Sequence, residues 1–286
     1  MTNEENGLGR NLDDHNRAVH QTNAANQGDT SEQQADELAS VERDSAEQTP
    51  ADEKPRMPAW LETVLTVLVV LVVVGVFQNF VGRQYVIPSA SMEPTLHGCP
   101  ECTDDRIFVQ KLSYYFSDPQ PGDVVVFEGT PSWDGMYQSP RSDNAAIARV
   151  QDALSLVGLA APDENTLVKR VIATGGQTVS CQAGDQAVMV DGKPIDQSYI
   201  QTPPQYPVDE SIGSTACGGP YFGPIEVPED SYFVMGDNRT NSADSRAHTF
   251  DDYQGTIPGE NIRGKAQFIF FPFNRFGGID APDIQQ

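Results

Sequence analysis

Positive charge is scarce in this chain. Lysine and arginine together number 18 against 41 aspartates and glutamates, a formal net charge of −23 over 286 residues. Nucleic-acid binding needs Lys and Arg turned toward phosphates, so that class of function is excluded. Histidine is scarcer: there are four, and His15 and His20 fall in a stretch with no sign of structure. A histidine-based catalytic site has only His97 and His248 to draw on. Cysteine also numbers four, none of them before Cys99. Cys99-Pro100-Glu101-Cys102 has zinc-like spacing, but no second Cys or His pair follows at finger spacing, so neither a metal site nor a cofactor is expected. Aromatic residues are absent before Trp60. Residues 1–58 are rich in Asn, Gln, Asp, Glu, Ser and Ala. Such a segment cannot bury enough apolar surface to offset the entropy of ordering, and it is read as a disordered acidic tail.

Charge is also missing between Thr63 and Phe77, inside the run WLETVLTVLVVLVVVGVFQNFV from Trp60 to Val81. About twenty helical residues at ~1.5 Å each span ~30 Å, the thickness of a bilayer core. Valine favours strands in water, but a lone strand in lipid leaves its backbone groups unpaired, so a helix is forced. Residues 59–81 are therefore expected to form one transmembrane helix, with Trp60 suited to the interface. A cleaved leader would lie at the extreme N-terminus with a small-residue site after the apolar run, and a buried core helix would show a polar face. Lys54 and Arg56 before the run, against Arg83 after it, weakly favour a cytoplasmic N-terminus. Residues 82–286 would then lie outside, in an oxidising compartment.

That outer part reads as mostly β. Candidate strands are 83–88, 106–111, 123–128, 166–173, 186–192, 232–237 and 266–272, separated by turn signals such as Pro121-Gly122-Asp123 and Asp191-Gly192. Residues 144–159 carry apolar side chains at helical spacing and read as a short helix inserted between strands.

Two segments look unremarkable alone. In Pro88-Ser89-Ala90-Ser91-Met92-Glu93-Pro94-Thr95-Leu96 the serines fit a solvated turn. In Leu167-Val168-Lys169-Arg170-Val171-Ile172 the lysine fits an edge strand guarded against aggregation. A third, Gly236-Asp237-Asn238-Arg239 continuing to Ser242-Ala243-Asp244-Ser245-Arg246, fits a hydrogen-bonded loop. Taken together and in this order, after an apolar span, the segments closely resemble the bacterial type I signal peptidases, over about residues 60–272.

The resemblance implies a membrane-bound serine endopeptidase that removes signal peptides from translocated preproteins after small residues of the Ala-X-Ala kind. It implies Ser91 as nucleophile and Lys169 as general base. Ser89, with the Ser91 backbone N–H, would form the oxyanion hole. Ser242 would orient the lysine, and Asp244 with Arg246 would form a supporting ion pair. Tyr85, Ile87, Leu96 and Val168 would line shallow pockets for small substrate side chains. Ala90 stands where some members have Gly and Thr240 where some have Asp; neither touches a reacting atom. The expected fold is a folded-over antiparallel β-sheet catalytic domain on one N-terminal transmembrane helix. A smaller β subdomain is inserted at about residues 176–230. The partners are signal-peptide-bearing preproteins and membrane lipid, and the location is the cell membrane, single-pass, with the catalytic domain extracytoplasmic.

The chemistry is coherent by itself. A serine hydroxyl needs a base, and a lysine at ~10.4 is protonated and cannot serve. Lowering it to ~7–8 takes burial, worth about 4 kcal/mol, for which Leu167, Val168, Val171 and Ile172 are the apolar neighbours. Strand alternation places Leu167 and Val171 on the face of Lys169 and turns Arg170 the other way, toward solvent or lipid headgroups. Sequence alone leaves His248 open as a competing base. A self-cleaving Ser/Lys regulatory protease is a rival that the membrane span disfavours, and an inactive tethered binding module is one that retention of Ser91, Lys169 and Ser242 disfavours. Of the three possible cysteine pairings, Cys181–Cys217 and Cys99–Cys102 are expected. Cys181 follows the lysine strand, Cys217 lies near the end of the subdomain, and Cys99 and Cys102 are too close together to reach much else.

Overall fold

The lysine strand lies inside the main sheet. In a computed structural model, which describes residues 57–99, 101–135, 139–156, 160 and 163–286, strand β4 (Thr166–Thr174) pairs antiparallel with β3 (Val124–Glu128) and with β11 (Ser231–Met235). The expected tail to residue 56, with its two histidines and Lys54 and Arg56, lies outside the described residues, as do residues 157–159 of the inserted helix. The sheet has eight strands. Its remaining members are β1 (Gly82–Val86), β2 (Arg106–Gln110), β12 (Ile257–Pro258), β13 (Ile262–Phe271) and β14 (Gly277–Gly278). The order is β1-β2-β13-β3-β4-β11-β12, with β14 on β13.

Side-chain alternation explains why β3 is apolar throughout. Val124 and Val126 enter one core with Ile87, Met92, Leu96 and Ile107, while Val125 and Phe127 enter another with Trp133, Val171 and Val234. The sheet folds over at β13. Its first residues pair with β3 and its later ones with β2, with register shifts at the crossing. Gly264 sits there at φ 154°, and a Cβ would stand 2.5 Å from Gln110 O, so a side chain would block the fold-over.

A second sheet covers the far side of β4 and β11. It comprises β5 (Thr178–Cys181), β6 (Met189–Val190), β7 (Lys193–Pro194) and β10 (Phe222–Glu226), in the order β10-β5-β6-β7. A two-residue pair, β8 (Gly213–Ser214) with β9 (Gly219–Pro220), lies between them in sequence. Val179, Val188, Val190 and Ile225 pack with Ile172, Ala173, Phe233 and Met235 in one core. Cys181 is bonded to Cys217, and Cys99 to Cys102.

Helix α1 (Ala59–Val76) continues through a π-helical turn, Phe77–Val81, into one apolar helix of 23 residues, long enough to cross a membrane and only 6% buried. Helix α2 (Ala145–Leu156) lies beside its exit, where Asn79 Nδ2 donates to Leu156 O.

Candidate active site

The residues singled out in sequence come from three places in the fold. Ser89 and Ser91 sit just after β1, Ser91 within a short 3₁₀ turn at Ala90–Met92. Lys169 is the fourth residue of β4. Ser242, Asp244 and Arg246 follow β11. Lys169 Nζ lies 2.8 Å from Ser91 Oγ and donates to Val168 O at 3.0 Å. Ser89 Oγ is 3.3 Å from Ser91 Oγ. Lys169 is buried, and that burial lowers its amine to about 8; Asp244 and Asp237 pull weakly the other way. A buried amine that is substantially neutral near pH 8, in contact with a serine hydroxyl, can remove the proton from that hydroxyl.

The lysine's competitor is occupied elsewhere. His248 stacks on Trp133 with ring centroids 4.3 Å apart, and burial holds its imidazole below the ordinary value.

Asp244 and Arg246 pair at 2.8 Å, and Arg246 also donates to the carbonyls of Cys217, Gly218 and Arg239. Burial opposes the Asp244 charge, but the Arg246 charge and hydrogen bonds from Arg246 and Gly236 N outweigh it and hold the carboxyl below its ordinary value. Ser242 Oγ is buried beside Asp244, whose charge its hydroxyl helps to favour, and no hydrogen bond joins it to Lys169 among the described residues. Tyr85, Ile87, Leu96 and Val168 converge in one core cluster; Ile87 and Leu96 are fully buried, Tyr85 and Val168 partly.

Arg170 corrects the expectation drawn from alternation. Its side chain is 1% exposed and faces neither solvent nor lipid. It grips Asp237 through two bonds, of 2.9 and 2.7 Å, and donates to Gly122 O, Asp280 O and Thr95 Oγ1. Its guanidinium lies over the Tyr199 ring at 4.4 Å. Both faces of β4 are covered, so a charge on either face needs a buried partner. An Arg inside a strand apolar on both sides was the signal for such a partner.

Asn238 is the contributor that sequence reading missed. Its backbone N–H donates to Ser91 O at 3.1 Å and its Nδ2 to Ala90 O at 3.0 Å, fixing the turn that carries Ser91. Gly236 makes room for this contact: a Cβ there would stand 2.3 Å from Ser242 Oγ and 2.4 Å from Ser91 O. The motif marks Asn238 but not its partner, which lies 148 residues away.

Among the described residues no cluster of His, Cys, Asp and Glu could hold a metal. Residues 60–271 match the family described as "Signal peptidase, peptidase S26". The chain is 46% identical over 248 residues to the probable signal peptidase I of Mycobacterium leprae, covering 82% of this chain and 84% of that one. It is 50% identical over 230 residues to signal peptidase I of Mycobacterium tuberculosis, covering 79% and 77%. Among solved structures, a signal peptidase I from Enterococcus faecalis matches at 22% identity and TM-score 0.28, over 52% of this chain and 97% of that one.

Proposed function

The chain belongs to the bacterial type I signal peptidases, serine peptidases that cleave signal peptides, and from that premise we propose a Ser91/Lys169 mechanism acting after small residues. The observation that carries this reading is the 2.8 Å contact between a buried Lys169 amine and Ser91 Oγ. Neutral Lys169 takes the Ser91 proton as Oγ attacks the scissile carbonyl. The oxyanion receives hydrogen bonds from the Ser91 backbone N–H and the Ser89 hydroxyl. Lys169 then returns the proton to the leaving amine, and a water activated by Lys169 hydrolyses the acyl-enzyme. Ser242 acts as a positioning residue for the amine, and the Asp244–Arg246 pair holds the loop that carries it.

The substrate adds as an extended strand. Strand β1 pairs only with β2, and residues 166–169 of β4 pair only with β3, so each offers an open edge. Tyr85 and Val168, on these edges, share a cluster whose floor is filled by Ile87 and Leu96. With Ile87 and Leu96 already buried, the cluster favours small substrate side chains such as alanine.

The reading of the chain as a tail to residue 58, an anchor at 59–81 and an extracytoplasmic peptidase domain at 82–286, with about 176–230 as an inserted subdomain, completes the proposal. The exposed apolar helix, uncharged from Thr63 to Phe77, supports the anchor. Protease added to intact spheroplasts should digest the β domain and spare the tail; the reverse pattern inverts the topology.

The catalytic test is direct. Detergent-solubilised protein is incubated with a preprotein and the product N-terminus is sequenced. Ser91→Ala and Lys169→Ala should each abolish cleavage while the protein stays folded. Near-normal turnover by Lys169→Ala with loss in His248→Ala would overturn the assignment of the base.

A further inference from the structure

The open edge of β4 stops abruptly. Residues 166–169 are paired on one side only, but Arg170 pairs with Val124 on one side and Met235 on the other. A substrate strand lying along this edge must therefore leave it at Lys169, where the bond is cut. The chain beyond the cut meets the segment that continues from β11, Gly236 to Ser242.

A cavity of about 330 Å³ opens on that segment. Thr240 and Ser242 form its near wall, and Pro207, Val208, Ile212 and Tyr221 from the second-sheet region form its far wall. The two walls are fixed to each other. Gln205 Oε1 accepts from Asn238 Nδ2 and Asn241 Nδ2, Tyr206 N donates to Thr240 Oγ1, and Gln201 N donates to Asp237 O. Ser242, on its near wall, lies next to the turn that carries Ser91: both Ser242 Oγ and Ser91 O crowd the space that Gly236 leaves free of a side chain.

We propose that this cavity is the subsite for the mature side of the preprotein, taking the side chain of the second or third residue after the cut. Pro207, Val208, Ile212 and Tyr221 favour an apolar side chain. Arg239, Arg246 and Asp209 also line the cavity. Arg246 is paired with Asp244, but Arg239 donates only to Gly236 O, Gln197 Oε1 and the Tyr199 hydroxyl and has no carboxylate partner among the described residues. A Leu side chain gains contact with the apolar lining residues, whereas an entering Lys or Arg must be partly desolvated against them. Ile212, 57% exposed at the rim, is the specificity-determining residue.

The inference rests on the cut occurring at Ser91 and Lys169, and the experiment separates the two. Quenched peptides with one signal-side sequence carry Ala, Leu or Lys at the second and third positions after the cut. They are assayed with the full-length enzyme in detergent and with Ile212→Asp. Wild type should prefer Leu to Lys by about tenfold in kcat/KM, the size expected for one apolar pocket contact. Ile212→Asp, which alters an exposed side chain and leaves its backbone bonds in place, should erase or invert that ratio. Equal cleavage of Leu and Lys peptides, or the same ratio in both enzymes, overturns the subsite and leaves the catalytic reading standing. Cleavage of no peptide overturns the catalytic reading, and the subsite with it.

Discussion

Activity should rise with pH through the value that burial gives Lys169. That amine falls from an ordinary 10.5 to about 8. At pH 7 about a tenth of it is then neutral, against roughly one part in 3,000 for an ordinary lysine. Burial thus raises the reactive fraction about 300-fold. The same burial lowers stability, and the sign is opposite to that of a paired carboxylate. Below about pH 8 both folded and unfolded chains carry the ammonium, and the folded chain holds it in an apolar site at a cost of ~3 kcal/mol. Between about 8 and 10.5 the unfolded chain binds more protons, so this contribution to stability rises with pH; above 10.5 both forms are neutral and the penalty is gone. Lys169→Met should therefore be inactive yet ~3 kcal/mol more stable than wild type at pH 7, with the difference vanishing above about pH 10.5. The measurements are kcat/KM on a quenched peptide from about pH 6 to 10 and denaturant midpoints over the same range. A rate profile with its midpoint near 6.5, or a stability difference that does not change with pH, would refute the reasoning.

Ser242→Ala should lower kcat about a hundredfold with KM little changed and the fold intact, because the proposal gives its hydroxyl the task of positioning the amine; a wild-type kcat contradicts that role. Arg170→Met should destabilise the protein by about 3–5 kcal/mol, because it leaves the Asp237 carboxylate buried and unpaired. Arg170→Met combined with Asp237→Leu should recover part of that loss. A single variant within 1 kcal/mol of wild type by denaturant unfolding would show that the pair contributes little.

What could be read from the sequence depended on the range of the interaction. Residues 123–128 read as a strand, and Val124–Glu128 is one; its burial on both faces came only with the structure. Residues 186–192 read equally well as a strand, yet only Met189–Val190 pair, because Asp191 and Gly192 turn at positive φ and the second sheet is small. Ile257–Pro258 and Gly277–Gly278 carry no strand pattern; they are held by neighbours already in place. Ser91 and Lys169 were visible because their surrounding motifs are distinctive. Arg170 was misread because alternation gives a direction but not what lies there.

The residues of the third motif to which sequence reading gave no individual role share one task. Gly236 admits Ser91 O to close approach, Asp237 neutralises Arg170, Asn238 ties down Ala90 and Ser91, and Arg239 joins this segment to Gln197 and Tyr199 of the second-sheet region. Four consecutive residues thus connect the nucleophile's turn, the lysine strand and the second-sheet region. A lysine made neutral by burial is reactive only if the serine stays within hydrogen-bond reach, since water entering the gap would restore the ammonium. Buried polar groups with satisfied partners hold a single geometry better than apolar packing, because any displacement leaves a desolvated donor or acceptor unpaired. The reactivity of Lys169 therefore depends on the Gly236–Arg239 segment as much as on its apolar surroundings.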